Sequence, residues 1–403
     1  MNTGHARQHK TNQPTNPPQQ PNPNPRHTHC AATQTTPRRK DQPPMSPQPN
    51  PDERPEPTHK IPHFPGIPSL TASLRETPET PDRETTFKNL ITHHYDQLPL
   101  PAKGQTLTRW QALSAVAACD LSLTKLFEGH TDALAILAEL AGPPSNDTTA
   151  WAVWAAEPPT ARVTATAIGG KDKHPQLILD GTKAWCSGAR IVDAALITAW
   201  LDGAPILAAV SMNQPGVSID SAQWHAVGMQ ATNSADVHFE GVSATQVGGP
   251  HRYVERPGFW HGGAGIAACW YGAAAAIGGW VRDAVQRRAE PHRLAHLGAI
   301  DVALASAAAA LREAAATIDA HPHADSQRVA LRVRLIVEAA ATEVMTHAGR
   351  ALGAAPLCRD ARFARAMADL PVFLRQSHAE NDLAALGQVI VGTDKREDTP
   401  WML

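Results

Sequence analysis

Charge of one sign is missing from this sequence. Lys and Arg number 36 against 38 Asp and Glu, a formal charge of −2 over 403 residues. Proteins that grip a phosphate backbone carry a basic excess, so no nucleic-acid partner is expected. Cysteine is scarce too. Cys30, Cys119, Cys186, Cys269 and Cys358 are far apart and odd in number, which suits a reducing compartment and not a disulfide framework. The N-terminus lacks the continuous apolar stretch of a secretory signal, so a cytoplasmic protein is expected. There is no Gly-x-Ser-x-Gly elbow and no Gly-x-x-x-x-Gly-Lys-Ser/Thr run, which removes the commonest hydrolase and nucleotidase signatures.

Proline is unevenly placed. Of the 35, 19 lie before Thr86, among Gln, Asn and Thr and almost no aromatics. Such a stretch buries too little apolar surface to offset its ordering entropy, and residues 1–85 are read as a disordered tail with a small basic cluster at Arg38, Arg39 and Lys40. The remaining 318 residues suffice for a real core. Residues 86–150 carry helical periodicity, with Trp110, Leu113, Val116 and Ala117 on one face and a stop at Ala141-Gly142-Pro143-Pro144. Residues 151–250 alternate instead. Val163–Ile168, Leu177–Leu179, Ala194–Thr198, Ile206–Val210 and Val237–Phe239 read as strands, with turn signals at Asp180-Gly181, Asp202-Gly203 and Pro215-Gly216. Strands so close together, with no helix between, predict an antiparallel sheet or small barrel. Residues 251–403 are helical again, and the fold class is α+β.

Three local patterns are weighed against simpler readings. Gly262–Val281 has no charge, but its residues are mostly Ala and Gly, so a buried soluble helix is expected and no membrane span. Gly263-Ala264-Gly265-Ile266-Ala267-Ala268 matches a dinucleotide fingerprint without the strand that must lead into it, and reads as small residues for tight helix packing. His292 and His296 stand four apart with no third ligand in view, and read as a solvated helix face; no metal is expected.

Leu179-Asp180-Gly181-Thr182-Lys183-Ala184-Trp185-Cys186-Ser187-Gly188, then Pro215–Ile219, Gly228–Thr232 and Val237–Val242, and finally Arg359-Asp360-Ala361-Arg362 resemble, in order and spacing, the acyl-CoA dehydrogenase family over about residues 90–390. The resemblance implies an N-terminal helical domain, a central β-barrel and a C-terminal four-helix bundle, assembled as a homodimer or homotetramer. It implies FAD as cofactor, with Trp185 against the flavin ring, the Ser187 hydroxyl donating near N5, and Arg287 reaching the FAD pyrophosphate of a neighbouring subunit. The implied reaction is α,β-dehydrogenation of a small-molecule acyl substrate, such as a CoA thioester, with hydride passing to N5. The electron acceptor is not disclosed by the sequence.

The sequence departs from the family at the catalytic base. Nine residues after Arg359, where the family carries Glu, stands Ala368, with Asp369 next to it. His261, near the position where some members place the base, is the second candidate and could act near neutral pH. The family's Gly-Thr-Ser-Gln is replaced by Leu370-Pro371-Val372-Phe373, its Val-Thr-Glu-Pro by Ala155-Ala156-Glu157-Pro158, and the Phe-Gly after its arginine by Glu290-Pro291. Two other readings therefore stand beside the dehydrogenase: a flavin-dependent monooxygenase or oxidase on the same fold, and a non-catalytic relative acting in assembly or interaction.

Overall fold

Helix boundaries follow local chemistry. The computed structural model describes residues 63–78, 82–168, 174–392 and 401, all within the unit formed by residues 60–403. Helix α1 (Ile67–Arg75) has Pro68 in its first turn and buries Leu70 and Leu74, one helical turn apart. Asp82 caps α2 (Arg83–Thr92) by accepting from the amides of Glu84 and Thr85. Trp110, Leu113, Val116 and Ala117 form the buried face of α3 (Thr106–Cys119), as the periodicity predicts. Asp120 then caps α4 (Leu121–Glu139) and pairs with Arg83 at 2.8 Å. Most of the expected tail lies outside the described residues, but its last part does not. Leu70 and Leu74 join the core, so packed structure begins before Thr86; the proline count masked a short amphipathic run.

The central strands are β1 (Trp151–Trp154), β2 (Val163–Ile168), β3 (Gln176–Cys186), β4 (Ala194–Leu201), β5 (Ala204–Ser211), β6 (Val217–Asp220) and β7 (Ala235–Val247). Five of them close into a ring, β4–β2–β3–β7–β5 and back to β4, with β1 paired to β4 and β6 to β7. Closure leaves no long open edge. The barrel is not antiparallel throughout, which corrects the expectation: β1 and β2 both run parallel to β4. One edge of β4 takes β5 as a hairpin, and the other is shared end to end by two strands that arrive by longer connections, which permit parallel pairing. Asp202-Gly203 turns the β4–β5 hairpin with both residues at positive φ. Asp180-Gly181, expected as a turn, instead lies inside β3 at a register shift. There Gly181 has φ 118° and a Cβ would meet the Arg162 carbonyl oxygen at 2.3 Å, so the pair bends the strand without reversing it.

After α5 (Arg252–Glu255) come three long helices, α6 (Pro257–Arg287), α7 (Pro291–Ala320) and α8 (Gln327–Leu352). They pack on one another, α6 also against α3, with α9 (Ala354–Arg359), α10 (Ala361–Phe373) and α11 (Glu380–Gly392) completing the bundle against α6 and α8. Two of the described helices, α6 and α7, are long and apolar enough by composition to cross a membrane, and α6 is largely buried inside the protein. Its small residues set that burial: a Cβ on Gly272 would meet the Ser114 carbonyl oxygen of α3 at 2.2 Å, and Gly265 lies against the Trp110 indole. The glycines of the apparent dinucleotide fingerprint thus sit inside α6, where Gly265 shows the tight helix packing expected of it, while a Cβ on Gly263 would meet nothing within 4 Å.

Candidate functional site

The tryptophan-bearing segment of β3 is shaped by a bulge. Lys183 pairs with Val237 and Cys186 with Ala235, leaving one extra residue on β3. Ala184 and Cys186 are buried while Trp185, at φ 58°, is turned out and 60 % exposed. A bulky residue in the left-handed region is an outlier that the surroundings must enforce. Two contacts enforce it here. The Ser187 amide donates to the Trp185 carbonyl at 3.1 Å, and buried Lys183 is pinned by the Thr198 carbonyl at 2.9 Å and by Glu157 at 3.4 Å. Burial pushes the Lys183 pKa down while Glu157 opposes it.

A row of hydroxyls leads inward from this corner. Ser187 Oγ lies 2.7 Å from Ser234 Oγ, Ser234 Oγ lies 2.9 Å from Thr232 Oγ1, and Thr232 donates to the Met229 carbonyl at 2.8 Å. A carbonyl can only accept, so the hydrogen of Thr232 is spent there. Ser234 must then donate to Thr232, and Ser187 to Ser234. Expected as a donor, Ser187 therefore has its hydrogen committed inward and presents lone pairs. The Met229 amide donates to Asp369 Oδ1 at 2.6 Å, which joins the row to helix α10. Trp154 closes the other side, its indole donating to the Ser187 carbonyl at 3.1 Å.

The two candidate bases are separated. Asp369 is buried, lines a small cavity with Ala276 and Trp280 of α6, and has its pKa raised by burial against the Met229 bond. His261 lies 19 residues before Trp280 on the same helix, about 28 Å along its axis, so the two residues cannot act on one reacting centre. The His261 ring bonds to Ser326 Oγ at 3.2 Å. Ala368 has its carbonyl packed against the Cα of Gly228, where a Cβ would come within 2.0 Å. Arg287 is exposed on the last turn of α6 and makes no ion pair among the described residues, whereas Arg288 pairs with Glu290 at 2.9 Å. His296 contacts His347 of α8 at 2.9 Å and not His292; no group of three metal-ligating residues occurs among the described residues. Sequence reasoning gave Ser234 no role and Thr232 none beyond its place at the end of the quoted Gly228–Thr232 run; only that run marked the neighbourhood.

His261 gives a pH prediction. Burial lowers its pKa below the ordinary 6.5, aided by Arg256 and opposed by Glu139 and Asp319. Below pH 6.5 the unfolded chain takes up a proton that the folded protein refuses, so stability falls on acidification, by at most about 1.4 kcal/mol per pH unit. Chemical denaturation from pH 7.5 to 5 should show His261→Gln flattening that slope. An unchanged slope would mean that His261 is protonated in the fold.

No family model and no curated protein sequence matches the chain, but solved structures do. Dibenzothiophene monooxygenase TdsC from Paenibacillus sp. A11-2 superposes with TM-score 0.65 at 18 % identity, covering 81 % of this chain and 95 % of its own. KijD3, in complex with FMN and a dTDP-linked amino-keto sugar, gives 0.66 at 19 % identity, over 82 % and 92 %. Methanesulfinate monooxygenase MsuC from Pseudomonas fluorescens gives 0.66 at 18 %, over 81 % and 97 %. Identity this low carries architecture alone. From helical domain through barrel to bundle, the chain has the acyl-CoA dehydrogenase-like fold.

Proposed function

We propose that the protein is a flavin-dependent oxidoreductase, and within that class a monooxygenase. The observation that carries the reading is the out-turned Trp185, held at positive φ beside Ser187, whose lone pairs face away from an inward-donating hydroxyl row. A planar heteroaromatic ring with an N–H at its edge fits that corner: the indole offers a face, and Ser187 an acceptor. A bound flavin would supply two-electron redox chemistry and reaction with oxygen. TdsC has been solved with FMN bound, as has KijD3.

Monooxygenation is favoured over α,β-dehydrogenation by the state of the carboxylates. Position 368 is Ala, and Asp369 is 4 % exposed with one oxygen held by the Met229 amide, so neither is poised to take a substrate proton. FMN is favoured over the FAD implied by the sequence resemblance. Leu370 and Phe373, standing where the family's Gly-Thr-Ser-Gln would be, are core residues and offer no polar contact to an adenosine half. The chain's own residues orient the ring at Trp185 and Ser187 and hold the α10 side closed through Asp369. The acyl nature of the substrate rests on the family resemblance alone. A homo-oligomer is part of the proposal: Leu294, Gly298, Val302, Ala305 and Ala309 form an exposed stripe along α7, suited to a second copy of the chain.

Incubating the purified chain with FMN and with FAD, followed by gel filtration and absorbance, tests the reading. FMN should be retained more strongly, and Ser187→Ala should weaken it about five- to tenfold, the worth of one hydrogen bond of about 1 kcal/mol. Retention of neither flavin overturns the whole proposal. Anaerobic bleaching of the bound flavin by an acyl-CoA would overturn the monooxygenase assignment.

A further inference from the structure

A cleft of about 650 Å³ opens in the N-terminal helical region, between the Asp96–Leu100 loop, the start of α3, α4 and the segment before β1. It is separate from the tryptophan corner. The amide of Trp151, at the start of β1, donates to His130 Nδ1 in this cleft, whereas Trp154, at the strand's end, reaches Ser187; three residues of strand span about 10 Å.

Two groups of opposite charge are buried here with no charged ion-pair partner among the described residues. His130 Nδ1 accepts from Trp151, so the imidazole is neutral and its Nε2–H donates to Asp96 Oδ2 at 3.1 Å. The Gln97 amide donates to the same oxygen at 2.9 Å. Asp96 Oδ1 is buried and receives no hydrogen bond. Asp96 is 2 % exposed, and its one ion-pair contact among the described residues is with His130, which is neutral here. Arg109, 5 % exposed, spends one N–H on the Thr131 carbonyl at 2.8 Å and another on the Pro99 carbonyl at 3.4 Å. No carboxylate among the described residues forms an ion pair with it, although Asp132 and Glu128 lie near enough to support its charge. Three of the five guanidinium donors are left. An unpaired buried charge costs several kcal/mol unless something completes it. Here Asp96, with one carboxylate oxygen lacking a donor, and Arg109, with donors to spare, are both lining residues of one cleft, with Phe64, Leu98 and Leu134 as apolar wall.

We propose that this cleft is a second binding site, independent of the flavin reading, for an apolar α-amino acid or its α-hydroxy-acid analogue. The ligand's carboxylate meets Arg109 in the fork geometry that guanidinium favours. Its ammonium or hydroxyl donates to Asp96 Oδ1, and its side chain lies against Phe64, Leu98 and Leu134. The volume is in the range of small-molecule sites.

Calorimetric titration of the full chain tests this with L-leucine, L-phenylalanine, 2-hydroxyisocaproate and 3-phenyllactate as probes, and with isoamylamine and isocaproate as one-group controls. The two-group compounds should bind at least tenfold tighter than the controls. Arg109→Met should weaken both classes at least tenfold, and Asp96→Asn should weaken the amino acids more than the hydroxy acids, because only the former lose a charge partner. Leu134→Trp, which fills the cleft and removes no buried charge, should lower affinity in the same way and keeps the test valid if Arg109→Met does not fold. Equal affinity for the controls, indifference to both Arg109→Met and Leu134→Trp, or no heat with any probe up to about 10 mM overturns the proposal. Flavin retention is untouched by any of these outcomes.

Discussion

Gly228→Ala is expected to destabilise the protein by about 3 kcal/mol or more and, under the flavin proposal, to weaken flavin retention. A Cβ there would stand 2.0 Å from the Ala368 carbonyl oxygen and 2.7 Å from its carbon. Both walls are backbone, so no side-chain rotamer can relieve the clash. The contact joins the barrel to α10, and the adjacent Met229 amide would be pulled from Asp369 Oδ1 by the same displacement. That bond anchors the hydroxyl row ending at Ser187, so the stability loss and the flavin loss should appear together. Asp369→Asn, which keeps an acceptor oxygen, should cost far less. Urea unfolding with flavin fluorescence as a second probe checks both; a Gly228→Ala protein of unchanged midpoint would show that the barrel and α10 are not held in this contact.

The second large effect is expected at Trp270, the largest fully buried side chain. Trp270→Ala should cost about 3–5 kcal/mol, the loss of a large apolar volume in a core that cannot collapse around Gly and Ala backbones. Trp270→Phe should lie within about 1.5 kcal/mol of the parent. The reason is specific to this site. The indole N–H is buried and has no acceptor among the described residues, so phenylalanine gives up volume but also removes an unpaired donor. The ring face is occupied by Arg334, whose guanidinium lies 4.9 Å from its centroid and donates to the Gly263 and Gln376 carbonyls, and a phenyl ring preserves that contact. Equal losses for the two variants would place the weight on the N–H and not on packing.

How much of this could be read in advance depends on the range of the interaction. The apolar face of α3 was legible because period 3.6 records burial residue by residue, and β2 because its burial alternates, whereas β4 and β5, buried almost throughout, showed as short apolar runs between turn signals. β1 and β6, four residues each, were too short to leave a period. Asp180-Gly181 carried a turn signature, but the tertiary environment used its positive φ to bend a strand. Of the site, Trp185, Ser187 and Asp369 were named beforehand, and the structure links Ser187 to Asp369 through Ser234, which no spacing singled out, and through Thr232 and Met229, which stood in a quoted run without an assigned role. His261 and Asp369 could not be told apart as bases until α6 set His261 about 28 Å along its axis from Trp280, which shares a cavity with Asp369. Asp96, His130 and Arg109 carried no pattern at all, being 34 and 21 residues apart.

The sequence by itself determined the order of helices, barrel and bundle, since that order depends on local periodicity and on which faces must leave water. Tertiary structure alone decided the direction of the Ser187 hydrogen bond, which is fixed by a carbonyl more than forty residues away, at Met229. It alone decided that Asp369 is spent on a neighbouring domain's amide, and that two buried groups of opposite charge line one cleft with no charged ion-pair partner among the described residues. Hydrogen-bond polarity and charge pairing depend on atoms brought together in space, and a linear spacing does not encode them.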